Sequence, residues 1–182
     1  MHSDRWIQVP FDRKTKVTVD VQYASTQEFL PTHGDIHAWI SATLAYATDT
    51  CGISRKNQQG NDHFDVELTV RIVDEEEGAC LNRRYRGRET ATNVLSFPYE
   101  VSSVLGLNLL GDIVICAPVV ECEAGMRYEK PYHAYWAHMI VHGTLHLFGY
   151  DHQSAIEARH MESMETAVLT HMGFPDPYQE PC

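Results

Sequence analysis

Positive charge is scarce in this chain. Fourteen lysines and arginines stand against 25 aspartates and glutamates, a formal net charge of −11 over 182 residues. That balance excludes sequence-independent coating of nucleic acid, which needs a basic surface. It leaves room for a nuclease with a local basic cleft, where a few arginines hold one phosphate. Long hydrophobic runs are also missing, so no segment has the length to span a bilayer. The first residues, MHSDRWIQVPFDRKTK, have no apolar core of the kind a secretory signal carries, and export is not expected. The five cysteines (51, 80, 116, 122 and 182) form neither a C-x-x-C pair nor an even framework. Reduced thiols in a cytoplasmic protein are the expectation.

Histidine, by contrast, is plentiful: five of the eleven, His133, His138, His142, His146 and His152, fall in one short stretch. Within it, HGTLHLFGYDH places His142, His146 and His152 at i, i+4 and i+10. Residues four apart share a helix face, so His142 and His146 can reach one ion. Gly149 then allows the chain to leave the helix and bring His152 back. Three neutral imidazoles leave the fourth position of a tetrahedral zinc open, the layout of a catalytic site. The spacing resembles that of the metzincin peptidases, H-E-x-x-H-x-x-G-x-x-H, but Gly143 stands where those enzymes carry their general-base glutamate. The ligand set is retained and the peptidase base is absent.

Periodicity divides the chain into short strands and helices. Val17, Val19, Val21 and Tyr23 alternate with polar residues, as do Val66, Leu68, Val70 and Ile72, and both runs predict half-buried strands. Asp35 opens a predicted amphipathic helix, IHAWISATLAYAT. The acids after Asp74 suit a helix N-terminus, and that helix should run to about Arg84. NVLSFPYE (93–100) and LLGDIVIC (109–116) predict two more strands, and PVVECEAGMRYE a helix starting at Pro118. YHAYWAHMIVHGTLHLFGY is apolar nearly all round, as a buried helix should be. A last helix spans roughly Ser154 to Met172, and residues 50 to 64 and the tail FPDPYQEPC read as irregular. The expected fold is α+β: a single zincin-like domain over 15–182, after an extension over 1–14. It would hold a mixed sheet of about four strands, packed with helices around a central metal-binding helix.

Four blocks carry a resemblance to a known family. HGTLHLFGYDH is similar to the signature H-G-x-L-H-L-x-G-Y-D-H of the YbeY endoribonucleases. LNRRYRGRETATNVLSFPYE resembles that family's L-N-x-x-Y-R-G-x-x-x-x-T-N-V-L-S-F-P block. LLGDIVIC and AYWAHM fit as well, and the similarity covers roughly residues 65 to 178, with a weaker fit earlier. The resemblance implies a single-strand-specific, metal-dependent endoribonuclease of the cytoplasm that matures the 3′ end of 16S rRNA and takes part in ribosome quality control. It implies one zinc ion at His142, His146 and His152, although three imidazoles also suit nickel, copper or iron. It implies rRNA and the ribosome as partners, with ribosomal proteins or an assembly GTPase as the route to them, and neither DNA nor membrane.

The family's functional arginine falls on Arg86 of the Tyr85-Arg86-Gly87 motif. The residues alone leave two readings of this basic cluster, which also holds Arg83, Arg84 and Arg88. A guanidinium can grip phosphate with paired hydrogen bonds, and arginines also gather at the negative pole of a helix. The resemblance favours phosphate binding for Arg86, with catalysis shared between Arg86 and the ion held by His142 and its partners. His138, one turn before His142, is either a core histidine or an orienting group behind a ligand. Asp151 and Asp112 are candidates for carboxylates that hold a metal-bound imidazole, and Asp151 would equally suit the turn before His152. Asn93 and Ser96 are candidates for substrate hydrogen bonds or for sheet ends. RNA carries its own nucleophile in the 2′-OH, so a missing glutamate matters less to a ribonuclease than to a peptidase. Two other readings remain: a metal-dependent hydrolase of another substrate, metzincin-like peptidase included, and a ribosome-associated zinc-binding assembly factor without nuclease activity.

Overall fold

The computed structural model describes residues 15–51, 64–99, 109–127 and 132–179. The proposed extension over 1–14 and most of the 50–64 loop lie outside them. The described residues form four strands and five helices: β1 (Thr15–Tyr23), α1 (His33–Cys51), β2 (Phe64–Val73), α2 (Glu75–Arg86), β3 (Val94–Pro98), β4 (Leu109–Cys116), α3 (Ala117–Arg127), α4 (Tyr132–Leu147) and α5 (Ala155–His171). The sheet order is β1-β2-β4-β3, with β1, β2 and β4 parallel and β3 antiparallel to β4. This is one α+β domain with a mixed sheet.

Side-chain alternation along the strands sorts the core into two layers. Val66, Leu68, Val70 and Ile72 of β2, with Ile113 and Ile115 of β4, face α1, α4 and α5. The intervening positions, Val73, Leu95, Val114 and Cys116, pack against Leu81 of α2. Helix α4 lies deepest: 11 of its 16 residues are buried, and Trp136, Ile140 and Leu145 are fully so. Burial of each such side chain stabilises the fold by roughly 1.5–3 kcal/mol. A helix apolar on nearly every face finds its partners here in α1, β3, β4 and α5.

Helix ends depart from the expected ones in instructive ways. Helix α1 begins at His33, ahead of Asp35, because Thr32 caps it. The Thr32 hydroxyl accepts from Asp35 N–H at 3.2 Å, and the Asp35 carboxylate accepts in return from Thr32 N–H at 2.9 Å. Helix α2 continues past the expected end at about Arg84 to Arg86, so Arg86 closes the helix. Helix α3 starts one residue before Pro118, which fits the first turn because proline lacks only a donor that has no partner there. Ser154 caps α5 through reciprocal bonds with Glu157. Cys80 and Cys116 are free thiols, and no helix among the described residues is long and apolar enough to cross a membrane.

Candidate metal centre

Helix α4 delivers two of the three histidines. His142 and His146 lie one turn apart, with their Nε2 atoms 3.1 Å apart. The helix stops at Leu147, and Gly149 adopts φ +102°, a backbone conformation that side chains resist. Tyr150 N–H closes the turn onto Leu145 O at 3.0 Å. His152 is thereby returned to the helix: its ring centroid lies 4.8 Å from that of His146 and 5.6 Å from that of His142. One nitrogen from each of the three rings falls within 4.8 Å of the others.

The hydrogen bonds behind the rings decide what faces the centre. Glu165 Oε1 accepts from His142 Nδ1 at 2.7 Å, and Tyr150 O accepts from His146 Nδ1 at 3.0 Å. A carboxylate and a carbonyl can only accept, so both Nδ1 atoms carry the proton and both Nε2 atoms expose lone pairs. Two lone pairs at 3.1 Å repel unless a cation lies between them. Tetrahedral zinc with bonds of about 2.0–2.1 Å sets its nitrogens roughly 3.3 Å apart. The donor set therefore fits a transition-metal ion. Burial, with the neighbouring charges of His142 and His152, pushes the His146 imidazole down to about 4, so it stays neutral and ligand-ready at physiological pH.

Glu165 is the residue that sequence reasoning missed. It is 1% exposed, and its second oxygen accepts from His138 Nε2 at 2.8 Å and from the Tyr178 hydroxyl. One carboxylate thus holds His138, His142 and Tyr178 together. Burial raises its pKa, but the bonds and charges from His138 and His142 outweigh burial and leave it at about 2. A signal was present: Glu165 sits inside the apolar stripe of α5, between Met161, Met164, Val168 and Leu169. A carboxylate in a buried stripe needs partners. Tyr178, in the tail, carried no such signal.

The other candidates are placed as follows. His138 Nε2 donates to the same Glu165 carboxylate that accepts from His142. Asp112 lies elsewhere: its carboxylate accepts from the Tyr99 hydroxyl at 2.6 Å and, among the described residues, from no histidine. Asp112 stays within β4, paired with Thr69 of β2 and Phe97 of β3, and the carboxylate behind His142 is that of Glu165. Asp151 accepts from His152 N–H at 2.8 Å and from Gln153 at 2.6 Å, which shapes the turn that carries His152. His133 packs edge-on against Trp39 of α1, away from the centre. Arg86 lines the same cleft of about 370 Å³ as the three histidines, together with Asn93, Ser96, Glu162 and Glu165. Arg83 pairs weakly with Glu89 at 3.7 Å, and Arg84 lies over the Tyr85 ring, as basic residues at a helix end do.

Gly143 has a packing reason. A Cβ at this position would meet Ile113 Cγ2 at 3.0 Å and Ser96 Oγ at 3.3 Å, with Ser96 bonded to Gly143 O. The position faces the sheet, and any larger side chain there has to push Ile113 and Ser96 aside. Overpacking costs about 1–3 kcal/mol, offset by the roughly 1 kcal/mol that alanine gains over glycine in a helix. Gly143→Ala is therefore expected to lose about 1 kcal/mol, and Gly143→Glu considerably more, in urea melts. A Gly143→Glu protein as stable as the parent would contradict this packing.

A family model described as Endoribonuclease YbeY matches residues 22–173. The chain belongs to the YbeY family. The match takes in the region of weaker similarity before residue 65 and ends before the tail that bears Tyr178. A Nitrosococcus oceani protein named Endoribonuclease YbeY is 45% identical to this YbeY-family chain over 165 residues, 90% of this chain and 97% of the relative. A solution structure of a Thermotoga maritima protein matches with a TM-score of 0.49 at 20% identity, over 90% of this chain and 100% of that one.

Proposed function

We propose that this protein is a cytoplasmic, single-strand-specific, zinc-dependent endoribonuclease that acts in rRNA processing, including 3′-end maturation of 16S rRNA and ribosome quality control. The observation that carries the reading is one cleft lined by both Arg86 and the three histidines, in a chain of the YbeY family. His142, His146 and His152 would hold the ion, in a zincin-like arrangement with α4 as the metal-binding helix. A bound zinc ion supplies Lewis-acid stabilisation to a phosphoryl oxygen.

The remaining work falls to the chain's own groups. Arg86, exposed at the end of α2, binds the phosphate and stabilises charge as it builds on the equatorial oxygens. Glu165 keeps His142 in one tautomer and one orientation. The substrate's 2′-OH attacks the adjacent phosphorus and the P–O5′ bond breaks. This leaves a 2′,3′-cyclic phosphate and a 5′-oxygen that takes up the proton given off by the 2′-OH. That route accounts for a site without a carboxylate at position 143 and excludes DNA as substrate. Peptide hydrolysis has no such internal nucleophile, and the packing around Gly143 disfavours its base.

The test compares single-stranded RNA, duplex RNA, single-stranded DNA and casein as substrates. Wild type and Arg86→Ala are purified identically. Only single-stranded RNA should be cut. Arg86→Ala should lower kcat/KM by about 100-fold, the scale of losing one donor to a developing oxyanion, with zinc content unchanged. Equal RNA cleavage by both proteins would trace the activity to a contaminant or remove Arg86 from the mechanism. Casein cleavage without RNA cleavage would replace the reading with a peptidase.

A further inference from the structure

A second pocket of about 240 Å³ opens beside the metal cleft and shares Asn93, Val94, His142 and Tyr178 with it. Its remaining wall comes from Tyr135, His138, Met139 and Pro177. We infer that this side pocket is a nucleobase subsite: it takes one unpaired base of the RNA while the adjoining phosphate lies at Arg86 and the three histidines. The inference rests on the ribonuclease reading above.

Charge separates the two pockets. The metal cleft offers Arg86 and a cation-binding triad, both suited to phosphate. No lysine or arginine lines the side pocket among the described residues, and two carboxylates stand behind its wall. Glu165 accepts from Tyr178, and Glu123 accepts from Asn93 at 2.9 Å and from the Tyr135 hydroxyl. An anion is disfavoured there, and a neutral heterocycle is not. A pocket of about 240 Å³ has room for one base.

The wall is also held still. The Tyr178 and Tyr135 hydroxyls are each engaged with a carboxylate, so the rings are fixed before any ligand arrives. The tail that carries Tyr178 is tied down through Asp176, which accepts from Thr166 Oγ1 at 3.2 Å and from Tyr178 N–H at 2.9 Å. The Tyr178 ring packs edge-on to His138, with centroids 5.6 Å apart, yet the residue stays 46% exposed at the mouth. An exposed, immobilised aromatic beside a phosphate site is what base stacking requires, and it costs little ordering entropy on binding. A paired base cannot leave its stack to enter without losing its partner. The subsite thereby gives a physical reason for single-strand specificity.

The test is an abasic scan. Short fluorescein-labelled single-stranded RNAs, each lacking one base, are bound to zinc-loaded and zinc-stripped protein and followed by anisotropy. One abasic position should weaken binding about tenfold, on the scale of one lost stack. Tyr178→Ala should weaken intact RNA by a similar factor and make that abasic position silent. Tyr178→Phe keeps the ring and should bind RNA close to wild type, even though the bond to Glu165 is gone. A flat scan with a protein that still cleaves RNA would overturn the subsite and leave the ribonuclease standing. So would Tyr178→Ala binding like wild type, or its loss adding fully to the abasic loss. A wild type that neither binds nor cuts RNA would overturn both.

Discussion

His146→Ala is expected to empty the protein of zinc and bring RNA cleavage to background. His146 sits at the middle of the triad, 3.1 Å from His142 through their Nε2 atoms and next to the His152 ring. Its own orientation is set by Tyr150 O, so the ring reaches the centre without paying for rotamer freedom. Two imidazoles remain in the variant, one of them exposed, and two ligands rarely hold zinc against solvent. The loss should exceed the roughly 10–100-fold that substitutions behind a metal ligand cost. Metal content by mass spectrometry and a zinc-competition titration measure it, with circular dichroism to show that the fold persists. Full zinc stoichiometry in His146→Ala would remove the triad as the metal site.

The second large effect is expected at Glu165, which never faces the ion. Glu165→Ala strands the His138 Nε2 and His142 Nδ1 donors in a mostly buried setting, while the hydroxyl of Tyr178, a residue 46% exposed, can turn to water. Each stranded donor costs about 1–3 kcal/mol, so a loss of roughly 3 kcal/mol in urea melts is expected. Zinc affinity should fall about 10–100-fold, because His142 can then rotate or change tautomer. Glu165→Gln restores the volume but returns only one acceptor oxygen, and should lie between Ala and wild type. The pH dependence has a definite sign. The carboxyl group titrates at about 2 when folded, against 4.5 for its ordinary value. Its contribution is complete above about 4.5 and is lost as pH falls toward 2. Acid unfolding of Glu165→Ala should therefore show a shallower dependence across that window than the parent does. Identical zinc affinity in Glu165→Ala and wild type would reduce the residue to a packing group.

Much of this molecule could be read along the chain. The alternation in β1 and β2, the all-round apolar character of α4 and the i, i+4, i+10 histidines depend on local period and spacing alone. Each pattern has one physical solution: a pleated face, a buried helix, a ring of imidazoles closed by a glycine turn. Helix ends were legible only in part, because a cap is a hydrogen bond between a side chain and a backbone amide. Thr32 with Asp35 moved α1 toward the N-terminus, and α2 ran on until its arginines and Gly87.

The partners of each functional group were a different matter. Asp112 and Glu165 are both carboxylates near the right part of the chain, and period does not tell them apart. Sheet order sends Asp112 to Tyr99 at the end of β3, and the packing of α5 on α4 puts Glu165 beneath His138 and His142. Gly143 looked like an absent base until β4 came up against it. Tyr178 reached the cleft only because the tail folds back over α5. The sequence by itself determined the elements and the spacing that clusters the three histidines, since those rest on near neighbours. The tertiary structure alone decided which carboxylate serves them, why position 143 must be small and which aromatic lines the second pocket, since each of those depends on surfaces brought together from distant parts of the chain.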